Sequence, residues 1–208
     1  MSYDIESLKR KMLVKYPFLG SVLANVYYKE TKELDTAATD GEFIYYNPDF
    51  LNTLNADGQL FVLAHEVCHV AFNHILRSEG KDKELWNIAT DGVINQLLQK
   101  DGLEIIEHAI NIPEGISLDA EELYEKLLEE RKKHQGQNGN NNNNNESNNG
   151  DSSDNKDVGH DTHSMWDKAV KKHNEEPSSN PSEVEEKQKE LADMGEKKAF
   201  DKNKEENA

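Results

Sequence analysis

Apolar residues recur at helical spacing, or between helix-terminal signals, in four parts of the chain. These segments are residues 4–16, 60–76, 83 to about 100, and 119 to about 133. Pro17 predicts the end of the first helix, and Asp101-Gly102 predicts the end of the third. Asp119 with Glu122 has the pattern of a capping box at the start of the last helix. The segment 60–76 is apolar almost all the way round, which predicts a buried, central helix.

Two further segments predict a small sheet. Val22 to Tyr28 is rich in β-branched and aromatic residues and indicates a strand. Phe43 to Tyr46 indicates a second strand between the turn signal Asp40-Gly41 and the pair Asn47-Pro48. The spacing favours a hairpin-like return. Helices and a separate small sheet together predict an α+β fold.

The composition changes sharply after residue 133. Residues 1–133 contain 60 of the 72 apolar residues, which is enough for a core of their own, so we predict one domain there. Residues 134–157 are dominated by Asn, Gly, Ser and Asp and predict a disordered linker. Residues 158–173 regain Trp, Met and His and predict a short docking segment. Residues 174–208 predict a charged, mostly disordered tail.

Charge and cysteine content narrow the class of protein. The formal net charge of −17 argues against a nucleic-acid partner, which needs a basic face, and against an anionic membrane surface. The single cysteine, Cys68, suits a reducing compartment. The first residues carry acidic side chains without an apolar signal region, and no apolar run is long enough to span a bilayer. We therefore expect a soluble cytoplasmic protein.

The segment His65-Glu66-Val67-Cys68-His69 is an H-E-x-x-H motif within the central helix. His65 and His69 are one turn apart there, so their imidazoles can bind one metal ion. Glu66 can accept a proton from a metal-bound water. The alternative is a pair of core histidines satisfied by hydrogen bonds, with Glu66 paired to one of them. The uncharged flanks favour a metal site, since unpartnered buried ionisable groups are costly.

A catalytic zinc site needs a third protein ligand and an open position. On the next helix, Asn87, Asp91 and Asn95 form a polar stripe at the border of an apolar face. We predict Asp91 as the third ligand and Asn87 or Asn95 as groups that orient the ligands. The alternative is a solvated helix edge. Glu84 and His108 are weaker ligand candidates, because neither lies in such a stripe.

Two other residues near the motif are predicted to be structural. If the helix continues to residue 76, His74 lies about 180° round it from His65 and cannot share an ion with His65 and His69. We predict a packing or hydrogen-bonding role for His74, in company with Arg77. Cys68 is predicted to be a small apolar filler of the helix.

Several motifs together resemble a known bacterial and phage family. In chain order they are Pro17-Phe-Leu-Gly, Thr36-Ala-Ala-Thr-Asp-Gly, Tyr45-Tyr-Asn-Pro, Leu63-Ala-His-Glu-Val-Cys-His, His74 with Arg77, Trp86-Asn-Ile-Ala-Thr-Asp-Gly-Val-Ile-Asn, Ala120-Glu-Glu-Leu-Tyr and Asp161-Thr-His-Ser-Met-Trp. The chain thus resembles the putative metallopeptidase domain family over about residues 8–170. The resemblance implies a zincin-like fold with ligands His65 and His69, Glu66 as catalytic base and Asp91 at the third ligand position. Members often continue into a VWA-like domain, which would begin where this sequence ends.

These observations predict a zinc metallopeptidase with one Zn²⁺ per chain that acts on a peptide or protein. The strand Phe43–Tyr46 is a candidate edge for pairing with an extended peptide. Trp166 could dock on the domain and bring His163 to the cleft to stabilise an oxyanion; the alternative is a surface segment anchored by Trp166. Two rival functions are a zinc-binding interaction module without turnover and a DNA-associated protease, which the acidic charge disfavours.

Overall fold

The computed structural model describes residues 3–137, together with Trp166 and Lys171. These residues form a mixed α+β structure with six α-helices and one three-stranded sheet, which confirms the predicted fold class. The helices are α1 (Ile5–Lys15), α2 (Gly20–Asn25), α3 (Pro48–Thr53), α4 (Ala56–Ala71), α5 (Lys83–Lys100) and α6 (Ala120–Gln137). The strands are β1 (Tyr27–Glu30), β2 (Ala37–Thr39) and β3 (Phe43–Tyr46). Short 3₁₀ turns occupy Pro17–Leu19, Leu76–Ser78 and Pro113–Ile116.

The sheet has the strand order β1-β3-β2, with β1 parallel and β2 antiparallel to β3. The turn predicted at Asp40-Gly41 is confirmed: Gly41 has φ +92°, and the Asp40 carboxylate accepts hydrogen bonds from the N–H groups of Glu42 and Phe43. The hairpin-like return expected between the two predicted strands is wrong, because β1 and β3 are parallel. The prediction that β3 is an edge strand is wrong. Strand β3 pairs on both sides, because β2, which the sequence analysis did not identify, lies beside it. Strand β2 therefore provides the edge that lies against α4.

The predicted strand from Val22 to Tyr28 is also wrong over most of its length. Residues 20–25 form α2, and the strand begins only at Tyr27. Leu19, Leu23 and Val26 are buried at spacings of four and three residues, so helical burial overrides the local preference of β-branched and aromatic residues for strands.

Helix α4 is the central helix, with most of its side chains buried. The Asn55 side chain accepts a hydrogen bond from the N–H of Gly58 and caps its start. The predicted extension to residue 76 is wrong. The helix ends in a Schellman motif, in which Asn73 has φ +56° and the N–H of His74 bonds to the carbonyl of His69. The chain therefore turns back on itself, and His74 returns to the His69 side of the helix.

Helix α5 has the predicted bounds and packs against α4 and α6. The Asp82 carboxylate caps it by accepting a hydrogen bond from the N–H of Leu85. The capping box of α6 is confirmed: the N–H of Glu122 bonds to Asp119, and the N–H of Asp119 bonds to the Glu122 carboxylate. No helix in the described part of the chain combines the length and apolar character needed to cross a bilayer.

Two apolar clusters hold these elements together. The larger joins α1, α2, the sheet and the apolar side of α4. The smaller lies between α5 and α6 and includes Ile75, Trp86, Tyr124 and Trp166. Helix α4 contributes to the larger cluster, and α5 borders both clusters. The polar side chains where α4 meets α5 are therefore buried between the two clusters.

Candidate metal centre

Three side chains converge where α4 meets α5. Nε2 of His65 lies 2.9 Å from Nε2 of His69, and Oδ1 of Asp91 lies 3.5 Å from the first nitrogen and 3.1 Å from the second. All three residues are at most 4% exposed. The two histidines meet because they are one helical turn apart, and Asp91 faces them from the adjacent helix. The structure thus brings together the three residues predicted as ligands.

The triangle of donor atoms fits a zinc-sized ion. A tetrahedral ion at about 2.0–2.1 Å from its ligands separates those ligands by about 3.3 Å, close to the three observed distances. Oδ1 of Asp91 is buried, and no donor among the described residues is aligned with it for a hydrogen bond. Such an oxygen is costly without a partner, and a cation bound between the three atoms would supply one.

Asn95 fixes the orientation of His65. Nδ1 of His65 lies 2.8 Å from the amide oxygen of Asn95, whose own NH₂ group donates to the carbonyl of Ile110 at 2.8 Å. The amide oxygen therefore faces the imidazole, and Nδ1 of His65 carries the proton that bonds to it. Nε2 is then the nitrogen that faces His69 and Asp91, and its lone pair is available to a metal ion once that nitrogen has lost its proton.

Asn87 lies behind Asp91, as the polar stripe on α5 predicts. Its NH₂ group donates to Oδ2 of Asp91 at 3.3 Å, which leaves Oδ1 directed at the histidines. Burial alone would raise the pKa of Asp91, but the two imidazoles beside the carboxylate lower it to about 2. The same carboxylate, with Glu66, raises the pKa of His65 to about 9 against the opposing effect of burial.

His74 contacts the centre from behind His69. The Nδ1 atoms of the two rings lie 3.3 Å apart, and His74 is fully buried. Burial, followed by the neighbouring His69 and Arg77, holds the pKa of His74 well below its usual range, so the ring is neutral and can accept a proton donated by His69. Hydrophobic spacing does not predict this contact, because the apolar pattern continues to Leu76 whereas α4 ends at Ala71. Asn73, a residue type that tolerates positive φ, is the sequence signal for the turn.

Glu66 is buried beside the centre, with its side chain 2% exposed. Its Oε2 atom has no hydrogen-bond partner among the described residues. Burial raises the pKa of the Glu66 carboxyl to about 7, with a lowering effect of His65 and a raising effect of Asp91. A carboxyl group whose pKa lies near neutrality can both accept and release a proton.

The weaker ligand candidates lie away from this centre. Glu84 is exposed at the start of α5, and the His108 side chain is 67% exposed and lies 3.7 Å from Glu107. Cys68 is buried, and burial raises the pKa of its thiol to about 12, in keeping with its predicted role as an apolar filler.

Trp166 docks on the domain, as predicted. Its indole N–H donates to the carbonyl of Thr39 at 2.9 Å, and its ring centre lies 5.4 Å from that of His69. His163 lies outside the described residues, as do the predicted linker from residue 138, the rest of the docking segment except Lys171, and the tail. The predicted role of His163 in stabilising an oxyanion stays a prediction.

Comparison with known proteins places the chain in a family. A family profile described as "Putative metallopeptidase domain" matches residues 1–202. The chain belongs to this family. A Thermotoga maritima protein called "Uncharacterized protein" is 26% identical over 129 residues, which cover 57% of this chain and 32% of that relative. The chain thus spans about a third of the length of this curated relative. No solved structure matches the chain significantly.

Proposed function

We propose that this member of the putative metallopeptidase domain family is a zinc-dependent peptidase. One Zn²⁺ per chain would be held by His65, His69 and Asp91. The proposal rests on one observation, the convergence of three buried ligand atoms beside Glu66, whose Oε2 atom has no hydrogen-bond partner among the described residues. Two imidazoles and one carboxylate are the ligand types of a catalytic zinc site, which leaves a fourth position for water or substrate.

The residues have separate roles in this proposal. When bound, zinc supplies a Lewis acid that polarises the scissile carbonyl and acidifies a water. Glu66 accepts the proton of that water and passes it to the nitrogen of the leaving amine. Asn95 and Asn87 hold the ligand side chains of His65 and Asp91 in place. Burial between α4 and α5 limits the access of bulk water to these groups.

The substrate in this proposal is a peptide or an unstructured protein segment, and the acidic charge makes a nucleic acid an unfavourable partner. Strand β2 supports this choice, because it is an edge strand of the sheet among the described residues and packs against the helix that carries His65 and His69. Unpaired backbone groups at a sheet edge can bind an extended peptide.

The test combines elemental analysis with a cleavage assay on an unstructured casein-type substrate. We expect about one zinc per chain in protein purified without chelator. Glu66→Gln should retain the zinc and lose cleavage, because it removes the proton acceptor and keeps the side-chain shape. Glu84→Gln, the same change at an exposed site, should cleave like the parent.

Three outcomes would contradict the proposal. If the parent protein contains no bound metal, the proposed zinc site is wrong. If Glu66→Gln cleaves as fast as the parent, Glu66 is not the base. The third outcome is that the parent and Glu66→Gln both bind zinc and neither cleaves. If cleavage is also absent after replacement of Trp166, whose ring lies against His69, by Ala, the protein is a zinc-binding interaction module without turnover.

A further inference from the structure

Trp166 is bound at a specific place beside the candidate metal centre. Its side chain is 2% exposed, its indole N–H donates to the carbonyl oxygen of Thr39, and its ring contacts that of His69. Thr39 lies 127 positions earlier in the chain. We call the Thr39 carbonyl and the adjoining His69 ring the indole seat. The same indole belongs to the apolar cluster that includes Ile75 and Trp86.

Thr39 lies in β2, which is an edge strand of the sheet among the described residues. The hydrogen bonds from Asp40 N–H to Phe43 and from Asn47 N–H to Thr36 identify the hydrogen-bonded pairs between β2 and β3. Because these pairs alternate with non-hydrogen-bonded ones, the backbone groups of Thr39 face away from β3. The indole therefore occupies an acceptor that an added strand would use.

We propose that Trp166 is an internal occupant of the peptide-binding face, and that a peptide with an aromatic side chain displaces it from the indole seat. This inference rests on the proposed function, because it assigns β2 and the His69 side of the centre to the substrate. A backbone N–H of an extended peptide would replace the indole N–H at Thr39. An aromatic side chain of that peptide would replace the indole against His69.

When Trp166 occupies the seat in part of the molecules, the apparent affinity for peptide equals the intrinsic affinity multiplied by the fraction of molecules in which the seat is empty. A seat filled in about nine molecules of ten weakens apparent binding about tenfold. Removal of Trp166 should therefore tighten peptide binding. A merely structural tryptophan would behave differently, because its removal would lower stability and leave peptide affinity unchanged or weaker.

The experiment measures binding by calorimetry in the zinc-loaded Glu66→Gln protein, which prevents turnover. The probe is a short extended peptide with a single Phe, and the matched peptide has Ala at that position. Adding Trp166→Ala should tighten Phe-peptide binding about tenfold, with a smaller effect on the Ala peptide. Trp166→Phe keeps a ring and removes the N–H donor, so it should tighten binding about threefold. Tyr27→Ala, which removes an exposed aromatic residue from β1, should leave the affinity unchanged.

Fluorescence follows the displacement directly, because the chain contains two tryptophans and Trp86 is fully buried. Saturating Phe peptide should shift the emission to longer wavelength and increase acrylamide quenching in protein with Trp166. Trp166→Phe, which retains Trp86, should show no such change. Equal peptide affinity, within about twofold, for proteins with and without Trp166 would overturn the inference, as would unchanged Trp166 emission at saturation. If Trp166→Ala does not fold, the affinity of Trp166→Phe decides.

This test is separate from that of the proposed function. If peptide displaces Trp166 and the protein binds zinc, but no variant cleaves, the inference about Trp166 holds and the proposed hydrolysis is wrong. If the parent cleaves and replacement of Trp166 does not change peptide affinity, the proposed hydrolysis holds and the inference about Trp166 is wrong.

Discussion

The imidazole of His65 and the amide of Asn95 form a hydrogen bond of 2.8 Å between residues that are thirty positions apart. The bond crosses from α4 to α5 inside the core. Asn95 is itself held by the carbonyl of Ile110, so its oxygen has one orientation. This relationship connects the packing of two helices to the orientation of an imidazole that we propose as a metal ligand.

We expect Asn95→Ala to weaken zinc binding by about 10- to 100-fold, the range for groups that orient metal ligands. The His65 ring would lose its acceptor, and both its tautomer and its orientation would become less fixed. Competition with a chromophoric chelator measures the affinity. Gln96→Ala is the control, because it removes a neighbouring amide that bonds to Asn111 and not to a ligand. Equal losses in the two variants would assign the effect to helix packing.

Asp91→Ala should weaken zinc binding by about tenfold or more, since two imidazoles alone leave a catalytic zinc short of its usual three protein ligands. The same titration applied to Glu84→Ala and His108→Ala should give the parental affinity, because these exposed residues lie away from the centre. Parental affinity in Asp91→Ala, with a loss in either other variant, would move the third ligand elsewhere.

His74→Leu should weaken zinc binding by about tenfold, because His69 would lose the acceptor for its Nδ1 proton. His74→Asn is the matched variant: its side-chain oxygen can accept the same proton, and we expect it to recover part of the affinity. If Leu and Asn reduce the affinity equally while both proteins melt like the parent, the contact between the rings does not orient His69.

The sequence predicted those parts of the centre that depend on spacing within one element. His65 and His69 are one turn apart in any helix, and the stripe Asn87–Asp91–Asn95 fixes one face of α5 in the same way. Helix α5 was predicted with its observed bounds because its capping and stop signals are local. Asp91 could be predicted as the third metal ligand because a polar group at the border of an apolar face needs a partner.

The missed features depend on contacts between distant segments or on a single backbone torsion. Strand β2 has only three residues, and its pairing with β3 makes β3 central. Helix α2 forms because Leu23 is buried by other elements, against the strand preference of its neighbours. The return of His74 depends on the positive φ of Asn73, which hydrophobic spacing alone does not reveal. The contact of Trp166 with Thr39 has no local signal in the sequence beyond an isolated aromatic residue.

Removal of the metal should destabilise the protein. Without an ion, Oδ1 of Asp91 remains buried with no aligned donor. A ligand that binds the folded state alone adds about 2.7 kcal/mol at a free concentration one hundred times its dissociation constant. We therefore expect the melting temperature to fall on dialysis against a chelator and to return with added zinc. Asp91→Ala should show a much smaller dependence, and a parental melting temperature in the absence of zinc would contradict a bound ion in the core.

Gly115 tests the packing that supports Asp91. A Cβ atom at Gly115 would lie 2.4 Å from the carbonyl oxygen of Gly92, the residue after Asp91 on α5. Because that contact is with backbone, Gly115→Ala must push the turn Pro113–Ile116 away from α5, which should cost about 1–3 kcal/mol. Urea unfolding at a fixed zinc concentration measures this loss. Ser117→Ala, an exposed change just after the same turn, should stay within about 0.5 kcal/mol of the parent. If Gly115→Ala also stays within that range, the turn can move freely, and its close approach does not hold Asp91 in place.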